Sequence, residues 1–267
     1  MENNKKKKKK GSAVFIVIIV ICIAVIIYAL YNIISIQMNY KAASDEYDSI
    51  RESVVTETET TDTAQGTVKE KEDDTEDKLI PPLTVDHKSL LAQNEDYAGW
   101  IYIEALGISY PIMQSTDNDF YLHRTFEKEV LFAGSIFMDF ENSKDFSDPN
   151  TIVYGHNMKD DSMFGNLNLL YDSELYKNSS RFWILTPDGN YLYEIFSMQR
   201  CEDTSDTYTL FSAAGTDVAD YISKMKSQSL VDCGEINYNG DSKVVTLSTC
   251  VYAEGTERFV VQGIRVE

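Results

Sequence analysis

The chain has 267 residues, enough for one or two domains, and a formal net charge of −19 from 24 Lys and Arg against 43 Asp and Glu. So acidic a chain is excluded as a nucleic-acid binder, because phosphate backbones are held by clustered Lys and Arg. With 43% apolar and 12% aromatic residues it is not disordered throughout. The charge is unevenly placed: residues 1–43 carry net +6 (seven Lys, one Glu), residues 44–78 net −9, and residues 79–267 net −16.

Lys5 to Lys10 form an unbroken run of cations. After Gly11 and Ser12 comes Ala13 to Tyr31, nineteen uncharged residues that are mostly Ile, Val, Ala or aromatic, and the stretch continues to Ile36 past Asn32 and Ser35. At about 1.5 Å rise per residue such a run covers the roughly 30 Å hydrocarbon core of a bilayer. In lipid the backbone must bond internally, so helix is forced despite the β-branched content. A cleaved signal peptide is the competing reading, but the run exceeds the usual apolar region of roughly 7–15 residues and no small-residue cleavage site follows it. The expectation is a basic cytoplasmic tail (1–12) and a single transmembrane anchor (13–36), with everything after it outside the cell membrane.

Residues 37–80 read as an acidic spacer, with Thr- and Glu-rich blocks at Thr56–Thr63 and Lys69–Lys78 and too little apolar surface to offset the entropy of ordering. Within it, residues 44–54 are a candidate short helix continuing from the anchor. Ile80-Pro81-Pro82 marks the start of the folded part, 81–267.

There the pattern changes. Asp86 to Asn94 reads as a short helix with Leu90 and Leu91 as apolar contacts. Eight β-rich runs follow: Trp100–Ile103, Ser109–Met113, Gly134–Met138, Thr151–Tyr154, Arg181–Thr186, Tyr191–Met198, Lys243–Thr249 and Arg258–Arg265. Pro187-Asp188-Gly189-Asn190 predicts a hairpin between the fifth and sixth. Between the sixth and seventh, Val218, Tyr221, Ile222 and Met225 at i, i+3, i+4, i+7 predict an amphipathic helix over Thr216–Ser227. The fold class is mainly β with helical insertions, a closed or nearly closed eight-stranded barrel.

Cys22 lies in the apolar run, and Cys201, Cys233 and Cys250 lie beyond it, an odd number that excludes a fully paired disulfide framework. Cys201 and Cys233 either pair or stand as ordinary thiols. No Cys or His spacing suggests zinc, and no cofactor motif is visible. Cys250 ends an apolar strand where a loop begins, a place that holds a side chain rigidly within reach of solvent and so suits a nucleophile as well as a structural thiol. His156 ends the run Thr151–Gly155 in the same way, and Arg258 opens the last strand, where an ion pair with Glu254 or Glu257 is the plainer reading. His87 and His123 sit in polar local contexts that ask for no chemistry. Together, a thiol, an imidazole and a guanidinium are what acyl transfer needs: a nucleophile, a proton carrier and an oxyanion stabiliser.

Thr246-Leu-Ser-Thr-Cys250 followed by Arg258 resembles the Cys–Arg signature of sortases. Thr151 to Leu167, with Gly99–Ile103, Tyr110–Gln114, Asp117–Tyr121 and Ala133–Asp139, resembles class B sortase segments, so the similarity covers nearly all of 84–267. The resemblance implies an eight-stranded sortase barrel and a cysteine transpeptidase without cofactor or metal. Such an enzyme cleaves a C-terminal sorting motif of secreted proteins through a thioester and passes the acyl group to a peptidoglycan precursor or cross-bridge amine. It implies Cys250 as nucleophile, His156 as general acid/base and Arg258 as the substrate-positioning and oxyanion cation, with Asn118, Tyr154, Ser248, Thr204 and Tyr208 lining the groove.

Two other Cys–His enzyme classes fit worse. An L,D-transpeptidase carries Arg two residues after its Cys, whereas Arg258 lies eight after Cys250, and a papain-like enzyme has Cys early and His late, the reverse of the order here. A non-catalytic tethered binding module on the same fold, or a thiol peptidase that only hydrolyses, are the remaining alternatives.

Overall fold

The computed structural model describes residues 2–58, 80–251 and 255–266. They divide into two compact units, Met1–Ala42 and Ala43–Glu267. The first unit is helical, the start of α1 (Glu2–Val54). By length and composition this is one helix near the N-terminus able to cross a membrane. Two of its asparagines bond back along the helix, Asn32 Nδ2 donating to the Tyr28 carbonyl and Asn39 Nδ2 to that of Ser35, each at 2.8 Å.

The second unit begins earlier than composition implies. Ala43, Tyr47, Ile50 and Val54 form a buried stripe at helical spacing, while Asp45, Asp48 and Glu52 face outward. The chain then forms β1 (Val55–Glu57), which pairs antiparallel with β2 (Leu83–Val85). Residues 43–57, assigned to the spacer on composition, therefore belong to the folded unit. The apolar stripe is too sparse to alter the average of so acidic a segment, and only its 3.6-residue period betrays it. Residues 59–79, the rest of the expected spacer, lie outside the described residues.

The short helix α2 (His87–Gln93) starts at Asp86, whose carboxylate accepts from the Ser89 backbone N–H at 3.0 Å. Leu90 is fully buried, but Leu91 is exposed, so this helix has one apolar anchor and not two.

All eight expected strands are present: β3 (Tyr97–Ile103), β4 (Ile108–Met113), β5 (Ile136–Met138), β6 (Asn150–Tyr154), β7 (Arg181–Thr186), β8 (Gly189–Glu202), β9 (Val244–Cys250) and β10 (Glu257–Arg265). They close into a barrel of order β10-β8-β7-β3-β4-β5-β6-β9, which leaves no unpaired edge. Two pairings are parallel, β4 with β5 and β6 with β9. Between β7 and β8 the chain turns at Pro187-Asp188, where Thr186 Oγ1 accepts from the backbone N–H groups of Asp188 and Gly189. β5 starts two residues later than expected because Gly134 takes φ +56°, left-handed backbone, and a Cβ there would sit 2.4 Å from the Leu122 carbonyl oxygen.

Helix α3 (Ser173–Asn178) precedes β7, and α4 (Thr216–Ser227) lies between the sixth and seventh barrel strands. In α4, Val218, Tyr221, Ile222 and Met225 are buried against Phe196, Val244 and Ile264 of the barrel. Cys201 and Cys233 are both free thiols, which settles the open pairing.

Candidate active site

The parallel register of β6 and β9 runs from Asn150 opposite Val244 to Tyr154 opposite Ser248. It is prolonged by the Gly155 N–H donating to the Ser248 carbonyl at 3.1 Å. Two residues further along each chain are His156 and Cys250, so the ladder delivers both to one end of the barrel. Asn157 holds the two segments together, its Nδ2 donating to the Cys250 carbonyl at 2.8 Å. On the other flank of β9, antiparallel pairing sets Arg258 of β10 directly opposite Cys250. Three adjacent strands thus carry the imidazole, the thiol and the guanidinium, each at a strand end where the side chain can meet solvent.

His156 is oriented by two contacts. Its Nε2 lies 2.8 Å from the Leu122 carbonyl, and its ring stacks on Phe132 with centroids 5.7 Å apart. A carbonyl only accepts, so Nε2 carries the proton and Nδ1 offers the lone pair. Burial pushes the imidazole below its usual 6.5, against the opposing pull of the Leu122 bond. Arg258 is held by its Nη1 donating to the Gly255 carbonyl at 2.9 Å and its Nη2 to the Asp203 carboxylate at 3.2 Å. Its ion-pair partner is therefore Asp203. Of the two acids suggested by proximity in sequence, Glu257 contributes only its carbonyl at 3.3 Å, and Glu254 lies outside the described residues.

Four of the five expected groove residues fall into one network. Asp139 is its hub: one carboxylate oxygen accepts from Asn118 Nδ2 at 2.8 Å and from the Tyr154 hydroxyl at 2.9 Å, and the other from the Glu141 N–H at 3.0 Å. Tyr154 lies parallel to Tyr208, centroids 6.4 Å apart, and the Tyr208 hydroxyl is 2.8 Å from Ser248 Oγ. Burial raises both phenols far above their ordinary value, so each presents a neutral hydroxyl. Thr204, by contrast, is exposed in the turn after β8, outside this network.

Asp139, Asp203, Asn157 and Phe132 were not singled out from sequence. An acid closing an apolar strand, as Asp139 does after Ile136–Met138, is a usable signal, whereas the backbone carbonyl of Leu122 leaves none. Among the described residues there is no group of three or more His, Cys, Asp or Glu placed to hold a metal ion.

Comparison with known proteins agrees with this geometry. The sortase domain family matches residues 101–266. Sortase B of Listeria monocytogenes is 41% identical over 180 residues, covering 66% of this chain and 72% of that protein. Sortase B of Staphylococcus aureus is 32% identical over 177 residues, covering 65% and 72%. The crystal structure of Bacillus anthracis sortase B in complex with AAEK1 superposes with a TM-score of 0.70 at 28% identity, over 87% of this chain and all of that one. With the barrel order, the inserted α4 and the convergence of thiol, imidazole and guanidinium on three neighbouring strands, these likenesses place the chain in the sortase family, as a class B cysteine transpeptidase.

Proposed function

We propose that this sortase is anchored by its N-terminal helix, cleaves a C-terminal sorting motif of secreted proteins through a thioester on Cys250, and passes the acyl group to an amine of the cell wall. The observation that carries this reading is the shared register of β6, β9 and β10, which sets His156, Cys250 and Arg258 side by side. In the first half-reaction the Cys250 thiol gives its proton to His156 Nδ1 and attacks the scissile carbonyl carbon. The guanidinium of Arg258 meets the oxyanion that develops. Collapse breaks the C–N bond, and His156 returns the proton to the departing amine. The second half reverses these roles: the wall amine attacks the thioester, His156 takes its proton, and Cys250 leaves.

The groove supports a substrate role for Asn118, Tyr154, Tyr208 and Ser248, all tied directly or through each other to Asp139. Asp139→Asn replaces a carboxylate that accepts on both oxygens by an amide whose NH2 must face a donor, either the Glu141 N–H or the Asn118 and Tyr154 pair. Steady-state kinetics should then give a KM raised by about tenfold with kcat little changed, the scale of a hydrogen bond to a charged group. An unchanged KM would remove Asp139 from the groove's support.

The six lysines before the apolar helix support a cytoplasmic N-terminus and an outward-facing catalytic unit. For proton transfer, burial holds His156 below 6.5, so the neutral base predominates at neutral pH. Lowering the pH through the depressed value protonates it, so the acid limb of kcat/KM is expected to have its midpoint below pH 6.5. A midpoint above that value contradicts the assignment.

The decisive test is trapping. The soluble 43–267 part, a compact unit of its own, is incubated with a panel of sorting-motif peptides, with and without an amine acceptor. Mass spectrometry should find an acyl adduct on Cys250 that the amine discharges. An adduct discharged by water alone would leave a hydrolase, and no adduct with any peptide would leave a binding module.

A further inference from the structure

We propose that Tyr47, on the helical segment that precedes the barrel, is a positioning residue for His156; the inference rests on His156 serving as the acid/base. The imidazole is oriented by the Leu122 carbonyl and the Phe132 ring, and both belong to one loop, residues 121–135. That loop closes on itself: the Ser135 N–H donates to the Tyr121 carbonyl at 3.0 Å, Ser135 Oγ to the Arg124 carbonyl at 2.8 Å, and Arg124 bridges to Val130. Yet no barrel strand runs through it, since β4 ends at Met113 and β5 begins at Ile136.

The loop is held at its outer part by Asn94, whose Nδ2 donates to the Phe126 carbonyl at 2.7 Å, and is clasped at its Gly134 end from α1. The Tyr47 hydroxyl, fully buried, donates to the Gly134 carbonyl at 2.7 Å and lies 3.0 Å from Ser135 Oγ. Gly134 is the residue whose absent Cβ lets the backbone pass against the Leu122 carbonyl. One residue earlier in α1, Glu46 accepts from the Glu127 N–H at 3.0 Å. The Tyr47 ring also stands edge-on to Tyr110, centroids 5.5 Å apart, and the Tyr110 hydroxyl accepts from the Met163 N–H at 3.4 Å. Met163 in turn bridges to Asn157, the neighbour of His156. Tyr47 thus reaches the imidazole by two routes, through the loop that accepts its Nε2–H and through the segment that carries it. No substrate contact is involved, so the effect falls on the orientation of the base.

The test uses the full chain in detergent micelles, labelled with 15N-histidine. Tyr47→Phe keeps the ring and its packing and deletes the hydroxyl. Ile50→Val, a buried position on the same helix, serves as the packing control. Tyr47→Phe is expected to shift the His156 ring nitrogens from the fixed Nε2–H form toward tautomer-averaged values. It should also lower kcat by about tenfold, part of what a well-placed general base contributes, with KM unchanged. Ile50→Val should do neither. Wild-type His156 resonances in Tyr47→Phe, whatever its melting temperature, overturn the proposal. His156→Ala run in parallel keeps the two claims apart: retained turnover there refutes the acid/base reading, while the resonances still decide for or against Tyr47.

Discussion

Cys250→Ala is expected to abolish both turnover and the acyl adduct while shifting the melting temperature by no more than about 2 °C. The other thiol of this region is poorly placed to replace the sulfur: Cys201 lies one strand further away, opposite Arg258 on β8, and burial pushes it above the ordinary value. The fold loses little because Cys250 contributes chiefly its backbone, through the pairing with Arg258 and the carbonyl that accepts from Asn157. Both survive the substitution. Deleting one half-buried sulfur costs on the order of 0.5 kcal/mol, which in a domain of this size is a degree or two. Calorimetry beside the trapping assay checks both halves. A loss of many degrees would mark a structural thiol, and residual adduct elsewhere would move the nucleophile.

Arg258→Lys should reduce kcat by about a hundredfold or more, the scale of removing an oxyanion donor. The guanidinium is already committed on one side, to the Gly255 carbonyl and the Asp203 carboxylate, and a fork can hold these while presenting its remaining N–H groups toward the site. An ammonium is a compact point charge. If it stays with Asp203 it abandons the oxyanion, and if it turns to the oxyanion it leaves Asp203 unanswered. Alkylation of Cys250 by iodoacetamide should persist in the variant, showing that the thiol remains accessible. Turnover near the wild-type rate would remove Arg258 from the chemistry.

How much of this was legible in the sequence depends on where each signal resides. α4 is legible to the residue because its apolar period is local. The same holds for β7, bounded by a turn that the Thr186 side chain closes. Cys250, His156 and Arg258 stand out in the sequence because they end or begin apolar runs and sit in family segments. Segment 44–54 is legible as a helix continuing from the anchor, but its membership of the folded unit is not, because its few buried side chains are outnumbered by acids in the average. Asp139, Asp203 and the Leu122 carbonyl were missed for a common reason. Each is defined by what tertiary structure brings to it, across separations of many residues, and a carbonyl has no letter of its own.

The parallel pairing of β6 with β9 also bears on when the site comes into being. Antiparallel neighbours such as β7 and β8 meet through a two-residue turn, but Asn150 must find Val244 across about ninety intervening residues, a closure that folding reaches late. Until β9 docks between β6 and β10, His156 and Cys250 belong to unrelated parts of the chain. A partly folded molecule therefore holds the Cys250 thiol with no imidazole beside it. On the roles proposed for these two residues, reactivity toward acyl groups switches on only with completion of the barrel.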